Sequence, residues 1–412
     1  MAKSSWGKVY FKEIYAGNLR EEPGDRYVFT YDQSYLDSQS PKISYLMPLR
    51  KEPYVSENRL HPFFDNLVAE GWLANAQMRA LRSIEPHINR FILLLNFGED
   101  LAGAVSVIDP EPIEHEKLQH SDEVTAAALS IRASLSGVQR KLLLKKENSL
   151  YRPVLPGELS THIAKVPSGN LSELLEIEYL STLAVKKLLP DDEIVEVSIG
   201  KIANINEEAL IVPRFDRTLT GKRSYHFEEF NQLLKHSSGD DKYNGSYEDM
   251  ARFIKETPGG ISFEIVKLFK RILACFLIGN TDAHFKNFAM FHTRDGLRLT
   301  PSYDLVAAAL YPEFQSIALR IGKVQDLFIG DLKSKHILLL GEKFYLSGDE
   351  IFYIIEELGK NLPKALESIS NSSIGSLLTR QKLMKKMEAR WKGSFISIGK
   401  HLLKKQNRDG KS

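Results

Sequence analysis

The sequence predicts an α+β protein with a β-rich N-terminal half and a helical C-terminal half. Three observations carry this reading. Before Asp216 the apolar residues fall in short aromatic and β-branched runs of strand length. After Asp216 the apolar spacing turns to about 3.6. With 412 residues, 43% hydrophobic and 26% charged, the chain can fill the cores of two or three domains, which excludes global disorder.

In chain order, Lys8–Tyr15 and Arg26–Tyr31 read as strands. Phe63–Trp72 and Leu73–Leu81 read as helical. Arg90–Leu95 and Ala102–Val107 read as a further pair of strands, punctuated by Gly98 and Gly103. Pro110–Glu123 is polar, acidic and proline-bearing, and reads as a linker. From there to Asp216 the pattern is strand-rich, with Leu142–Leu144, His162–Val166 and Ala209–Pro213, interrupted by one helix over Leu171–Leu189. Asn170 and Glu173 form a plausible capping pair for that helix. Phe227–Leu234, Ile265–Ile278, Ile351–Leu358 and Leu377–Leu403 carry helical spacing, and Phe288–His292 with Leu297–Leu299 reads as a hairpin turned at Arg294–Gly296. The expected organisation is 1–112, 113–216 and 217–412.

Composition narrows the function classes. Lys+Arg 55 against Asp+Glu 53 gives a net charge of +2, which argues against a protein that coats nucleic acid. One cysteine, Cys275, excludes an intrachain disulfide and a cysteine-rich zinc site. The longest apolar run, Ile272–Gly279, falls far short of the roughly 20 residues of a membrane helix, so no membrane partner and a cytoplasmic location are expected. Charge is uneven: Ser376–Ser412 holds 11 Lys/Arg against Glu388 and Asp409, a net +9, leaving −7 on the rest. That segment reads either as a solvated helical face, with Met384, Met387, Trp391 and Phe395 turned inward, or as a basic surface for an acidic partner or DNA backbone, reached by Lys382, Lys385, Lys386 and Arg390.

Ile278–Phe288 (IGNTDAHFKNF) is the strongest chemical segment. Asp282 is followed by four residues and Asn287, the spacing at which kinases place a catalytic aspartate and a metal-holding asparagine. Asp304 follows 22 residues later, after the hairpin, where a metal-binding aspartate belongs. Such oxygen donors beside phosphates suit Mg²⁺. Against this stands the plain alternative that Asp282 and Asn287 cap a turn. Upstream, Ser134–Lys141 (SLSGVQRK) has small residues and a cation able to cradle phosphates, though it also fits an ordinary polar turn. Lys165 sits on a predicted strand, and Glu173, Glu176 and Glu178 on the following helix are candidate partners that spacing does not separate. Ala209–Arg217 stops at the β-to-α changeover, where a kinase hinge would lie.

These segments together resemble the HipA family of serine/threonine kinase toxins along nearly the whole chain. The motifs are Ser136-Gly-Val-Gln-Arg-Lys141, Pro213-Arg-Phe-Asp-Arg217, Ile278–Asn287 and Leu299-Thr-Pro-Ser-Tyr-Asp304, with Met47–Arg50 and Phe63–Gly71 matching the family's N-terminal part. The resemblance implies a two-lobed protein-kinase-like fold, with ATP and Mg²⁺ as cofactors. It assigns Asp282 as catalytic, and Asn287 and Asp304 as metal ligands; Lys286, two residues past His284, is a candidate to neutralise the γ-phosphate. It assigns ATP contacts to Ser136, Gly137, Val138, Gln139, Arg140, Lys141, Lys165, Pro213, Arg214, Phe215, His284, Asn287 and Tyr303, and inhibitory autophosphorylation to Ser134. It further implies a helix-turn-helix antitoxin, operator DNA met mainly through that antitoxin, and a protein substrate such as an aminoacyl-tRNA synthetase. Pro213 departs from the family's hinge glutamate, and Ile177 stands where asparagine is common. A same-fold kinase for a small molecule or lipid, and a catalytically weak corepressor gripping a DNA-bound antitoxin, are the alternative readings.

Overall fold

A computed structural model describes residues 5–82, 84–85, 87–111, 122–129, 139–148, 150–167, 169, 171, 173–259 and 262–398. Ser134, Ser136, Gly137, Val138 and the capping residue Asn170 lie outside these, as does most of the expected linker. The chain forms two compact units: Met1–Asn170 with Ser198–Asp241, and Leu171–Val197 with Lys242–Ser412.

The first unit carries two β assemblies. Trp6–Phe11 (β1), Ile14–Glu22 (β2), Arg26–Tyr31 (β3), Tyr54–Glu57 (β4) and Val105–Ile108 (β5) form an antiparallel sheet in the order β4-β3-β2-β1-β5. One face of β1 buries Val9 and Phe11, by the two-residue alternation of a strand, against Phe29, Phe63, Phe64 and Phe91. Lys141–Glu147 (β6), Leu150–Pro153 (β7), His162–Lys165 (β8), Ser198–Ile202 (β9) and Ile205–Pro213 (β10) close into a barrel ordered β10-β8-β6-β7-β9. Leu142, Leu143 and Leu144 are all buried in succession, which a strand permits only when both of its faces are covered. A last strand, Phe227–Glu229 (β11), leads into the short helix Phe230–Leu233.

Three local expectations change. Arg90–Asn96 is a helix, not a strand: Asn89 caps it by accepting from the Ile92 N–H at 2.9 Å, and Phe91 to Asn96 are all buried. A short, wholly apolar run has no periodicity to separate helix from strand. Phe63–Trp72 is not one helix. Pro62–Asp65 ends, and a second helix, Gly71–Leu81, starts at a glycine with φ +58°. Phe227–Leu234 begins as strand before turning helical. An unforeseen helix, Glu123–Leu129, follows Asp122, whose carboxylate accepts from the Thr125 N–H at 2.9 Å.

The second unit is helical apart from the hairpin of Ala289–Thr293 (β12) and Gly296–Leu299 (β13), which is close to the predicted one. Its central helix, Ser262–Ile278, is buried from Arg271 through Ile278. Leu174–Leu188 packs against Gly348–Ser370, and Leu377–Arg390 follows. In place of the expected capping pair, Glu173 itself is the N-cap of Leu174–Leu188, at φ 61° with no side-chain cap bond. Helix Leu377–Arg390 turns Leu383 and Met387 inward, with Phe395 buried beyond it, while Met384 and Trp391 are only partly covered. Among the described residues no helix is long and apolar enough to cross a membrane.

Candidate active site

The central helix of the second unit stops at Gly279, whose φ of +84° suits glycine. The N–H groups of Gly279 and Asn280 both reach the Cys275 carbonyl, at 2.9 and 2.8 Å. A Cβ on Gly279 would also lie 2.4 Å from the Arg390 guanidinium, so the turn is fixed by conformation and by space. The chain then runs through Asn280–His284 into the single 3₁₀ turn Phe285–Asn287. This turn is closed by the Asn287 N–H on the His284 carbonyl (2.9 Å) and by the His284 N–H on Asn287 Oδ1 (3.1 Å).

The loop draws the expected residues together. Asn287 Nδ2 donates to Asp304 Oδ2 at 3.0 Å, so the candidate metal ligands are neighbours. Asp304 adopts φ +58°, an uncommon conformation for a residue with a side chain, and Asn280 Nδ2 reaches its carbonyl at 3.3 Å. The Tyr303 hydroxyl donates to the Lys286 carbonyl at 2.8 Å, joining the two loops a second time. Asp282 Oδ1 accepts from the Tyr243 hydroxyl at 2.8 Å. Lys286 and His284 are buried. Burial, then the positive charge of Lys242, push the His284 imidazole down to about 3 against the pull of Asp304, with Lys286 adding less, so this ring is neutral at physiological pH.

Beneath the hairpin, Arg271 holds Asp192 through two bonds of 2.6 and 2.7 Å and donates to the Thr300 carbonyl at 2.7 Å. Burial opposes the Asp192 charge, but Arg271 and Lys267 still hold its carboxyl below the usual range. This pair supports the strand end that leads to Asp304.

The other candidates fall in the first unit. Lys141 and Lys165 are direct partners across β6 and β8, so two lysines share one face of the barrel wall. Arg140 bonds Asp122 at 3.1 Å, and its guanidinium lies 5.6 Å from the Trp72 ring centroid. At the end of β10, Pro213 pairs with His162, and the Arg214 N–H donates to the Thr161 carbonyl at 2.9 Å. The Arg214 side chain turns into a buried ionic cluster: it bonds Asp216 at 2.7 Å and Asp100 at 3.1 Å, while Arg217 bonds the same two carboxylates at 2.7 and 2.8 Å. The Arg214 guanidinium is therefore committed to this cluster. Of the three candidate helix glutamates in the second unit, Glu178 is buried and Glu173 exposed.

The basic C-terminal helix is less available than its composition implies. Lys382 Nζ donates to the Leu310 carbonyl at 2.7 Å, and Arg390, partly buried, donates to the Leu277 carbonyl at 3.3 Å. Lys382, Lys385 and Lys386 are all exposed. Sequence reasoning missed Tyr243, Asn280, Arg271 and Asp100. Asn280 lies inside the recognised segment. Tyr243 and Asp100 meet their partners only through the fold, 39 residues from Asp282 and 114 from Arg214.

A loop carrying Asp282 and Asn287 follows a buried helix, and a hairpin returns Asp304 to within 3.0 Å of Asn287, in the order and spacing described for kinase loops. Comparison with known proteins gives the family. The profile of the HipA-like C-terminal domain matches residues 133–366, and that of the HipA N-terminal domain matches residues 7–108. The chain belongs to the HipA family. It is 29% identical over 326 residues to Y4mE of Sinorhizobium fredii, a kinase by name, spanning 72% of this chain and 76% of that protein. It is 27% identical over 358 residues to the serine/threonine-protein kinase toxin HipA of Shewanella oneidensis, spanning 78% and 79%. The solved HipA of the Shewanella oneidensis MR-1 toxin–antitoxin system, in complex with HipB and its operator DNA, superposes with a TM-score of 0.70 at 20% identity, over 93% of this chain and 97% of that one. The fold is thus the kinase-like HipA fold, with its β-rich part first and its helical part second.

Proposed function

We propose that the chain is an ATP- and Mg²⁺-dependent serine/threonine protein kinase that acts as a growth-arresting toxin, organised as 1–112, 113–216 and 217–412. The observation that carries the reading is the 3.0 Å approach of Asn287 to Asp304 on the loop that also presents Asp282. One carboxylate and one amide oxygen form a donor set suited to Mg²⁺, which keeps most of its remaining ligands as water and phosphate. When bound there, Mg²⁺ would neutralise charge on the β- and γ-phosphates.

The chain's own residues do the rest. Asp282 orients an acceptor hydroxyl and takes its proton, and Lys286 adds positive charge near the transferred group. Lys141 and Lys165 hold phosphates. They stand opposite each other on neighbouring strands, so one polyanion can meet both. Ser136–Gln139 and Arg140 complete the phosphate loop, Pro213–Phe215 meet adenine through backbone groups, and His284 and Tyr303 flank the nucleotide. Phosphate on Ser134 would compete with ATP for these lysines. A helix-turn-helix antitoxin partner, operator DNA met through it, and an aminoacyl-tRNA synthetase substrate follow from the family likeness.

Purified protein incubated with γ-³²P-ATP should transfer label to protein in Mg²⁺ and lose that transfer in a chelator. Absence of transfer, or transfer indifferent to the chelator, would overturn the proposal.

A further inference from the structure

An aspartate that serves as base on a loop must hold one orientation of its carboxylate, and the chain supplies a partner for this. The Tyr243 hydroxyl donates to Asp282 Oδ1 at 2.8 Å. A carboxylate has about four acceptor positions on its two oxygens, so one phenol fixes its plane and leaves room for an acceptor hydroxyl.

Tyr243 is itself held against the catalytic loop. Its ring meets the His284 ring edge-on, with centroids 5.1 Å apart, and the Lys242 ammonium lies 5.1 Å from its own centroid. Two residues further on, Gly245 lies so close to the loop that a Cβ there would fall 2.4 Å from the Phe285 ring. The Gly245 carbonyl accepts from the Arg320 N–H at 3.1 Å, and the Gly245 N–H donates to the Tyr243 carbonyl at 3.0 Å. The segment from Lys242 to Gly245 thus meets the loop at three positions, Asp282, His284 and Phe285. Tyr243 is 39% exposed, and these contacts hold it from the loop side, where its hydroxyl meets the carboxylate.

From this geometry we infer that Tyr243 is a positioning residue for phosphotransfer, orienting the Asp282 carboxylate toward the acceptor hydroxyl. The inference rests on the kinase reading above. It assigns a role to a residue outside the proposed nucleotide and metal contacts, so its removal should act on turnover and not on ATP binding.

The test is Tyr243→Phe in the full chain, which keeps the ring contacts and deletes only the hydroxyl. Label transfer from Mg-γ-³²P-ATP to the protein itself and to dephosphorylated casein gives kcat and the KM for ATP. A lost hydrogen bond to a charged group predicts a kcat about 10- to 100-fold lower, with KM for ATP within about twofold of wild type. Gly245→Ala, which pushes the segment off Phe285, should give the same split and serves if the first variant does not fold. An unchanged or raised kcat, or a fall in kcat matched by a rise in KM, overturns the inference. Wild type and Asp282→Ala are measured in parallel. An inactive wild type, or an active Asp282→Ala, overturns the kinase reading and the inference with it; an active wild type, a dead Asp282→Ala and an unimpaired Tyr243→Phe overturn the inference alone.

Discussion

Replacing Asp100 by Asn perturbs the buried cluster that anchors the end of β10. Asp100 is 3% exposed and accepts four bonds: from the Ser160 N–H at 2.9 Å, Ser160 Oγ at 2.7 Å, Arg214 at 3.1 Å and Arg217 at 2.8 Å. Asp216 is the second carboxylate for the same two guanidiniums. Burial alone would raise both carboxyls, yet Arg214 and Arg217 pull them below the usual range, so both are ionised. In the variant two buried guanidiniums share one carboxylate, and the new amide turns N–H groups toward other donors. Breaking a buried ion pair on one side costs about 3–5 kcal/mol. At about 2–4 °C per kcal/mol for a unit of this size, the melting temperature should fall by roughly 10 °C. The sign with pH follows from the depressed pKa. Stability from Asp100 is complete above its unfolded pKa of about 3.9 and is lost as pH falls through the lower folded value. The gap between wild type and variant should therefore be full at pH 5–8 and narrow below about pH 4. Thermal and urea unfolding followed by circular dichroism measure it, and Asp100→Asn with Arg217→Met should cost less than the two separate losses together. A melting temperature within about 2 °C of wild type would refute the claim that this cluster holds the end of β10.

Three further outcomes follow. Asp304→Asn removes the only charge of the candidate metal pair and should raise the Mg²⁺ needed for half-maximal transfer about tenfold or more, as read by Mg²⁺ titration and by Mn²⁺ calorimetry. Gly279→Ala meets a positive φ and the Arg390 guanidinium at once, and should destabilise the second unit by about 2–3 kcal/mol in urea unfolding. Lys385→Gln with Lys386→Gln should flatten the salt dependence of operator binding in complex with an antitoxin by about 0.9 per lost phosphate contact; Lys382→Gln and Arg390→Gln should act mainly on stability, because both already hold carbonyls.

One approach was legible where sequence spacing is itself geometry. Asn287 lies on the loop after the central helix and Asp304 at the foot of the next hairpin, so counting residues pointed to their meeting. The central helix was legible for the same reason, since its apolar period spans many turns. Arg90–Asn96 was not, because its run is too short and too uniformly apolar to show a period, and the deciding signal was a single cap at Asn89. Tyr243 and Asp100 were invisible for a different reason: their partners are supplied by tertiary packing, and a lone Tyr or Asp between ordinary neighbours carries no spacing to read. The basic segment misled in part, because charge counts do not reveal that Lys382 and Arg390 turn toward backbone carbonyls.

The central claim is that Asp282 serves phosphotransfer without being needed to bind nucleotide. The direct measurement pairs γ-³²P label transfer with calorimetric Mg-ATP affinity in wild type and Asp282→Ala. The account predicts that the variant loses about 10²–10⁴ in transfer rate, keeps its ATP affinity within a few-fold and melts close to wild type. Near-wild-type transfer by a folded Asp282→Ala would contradict it.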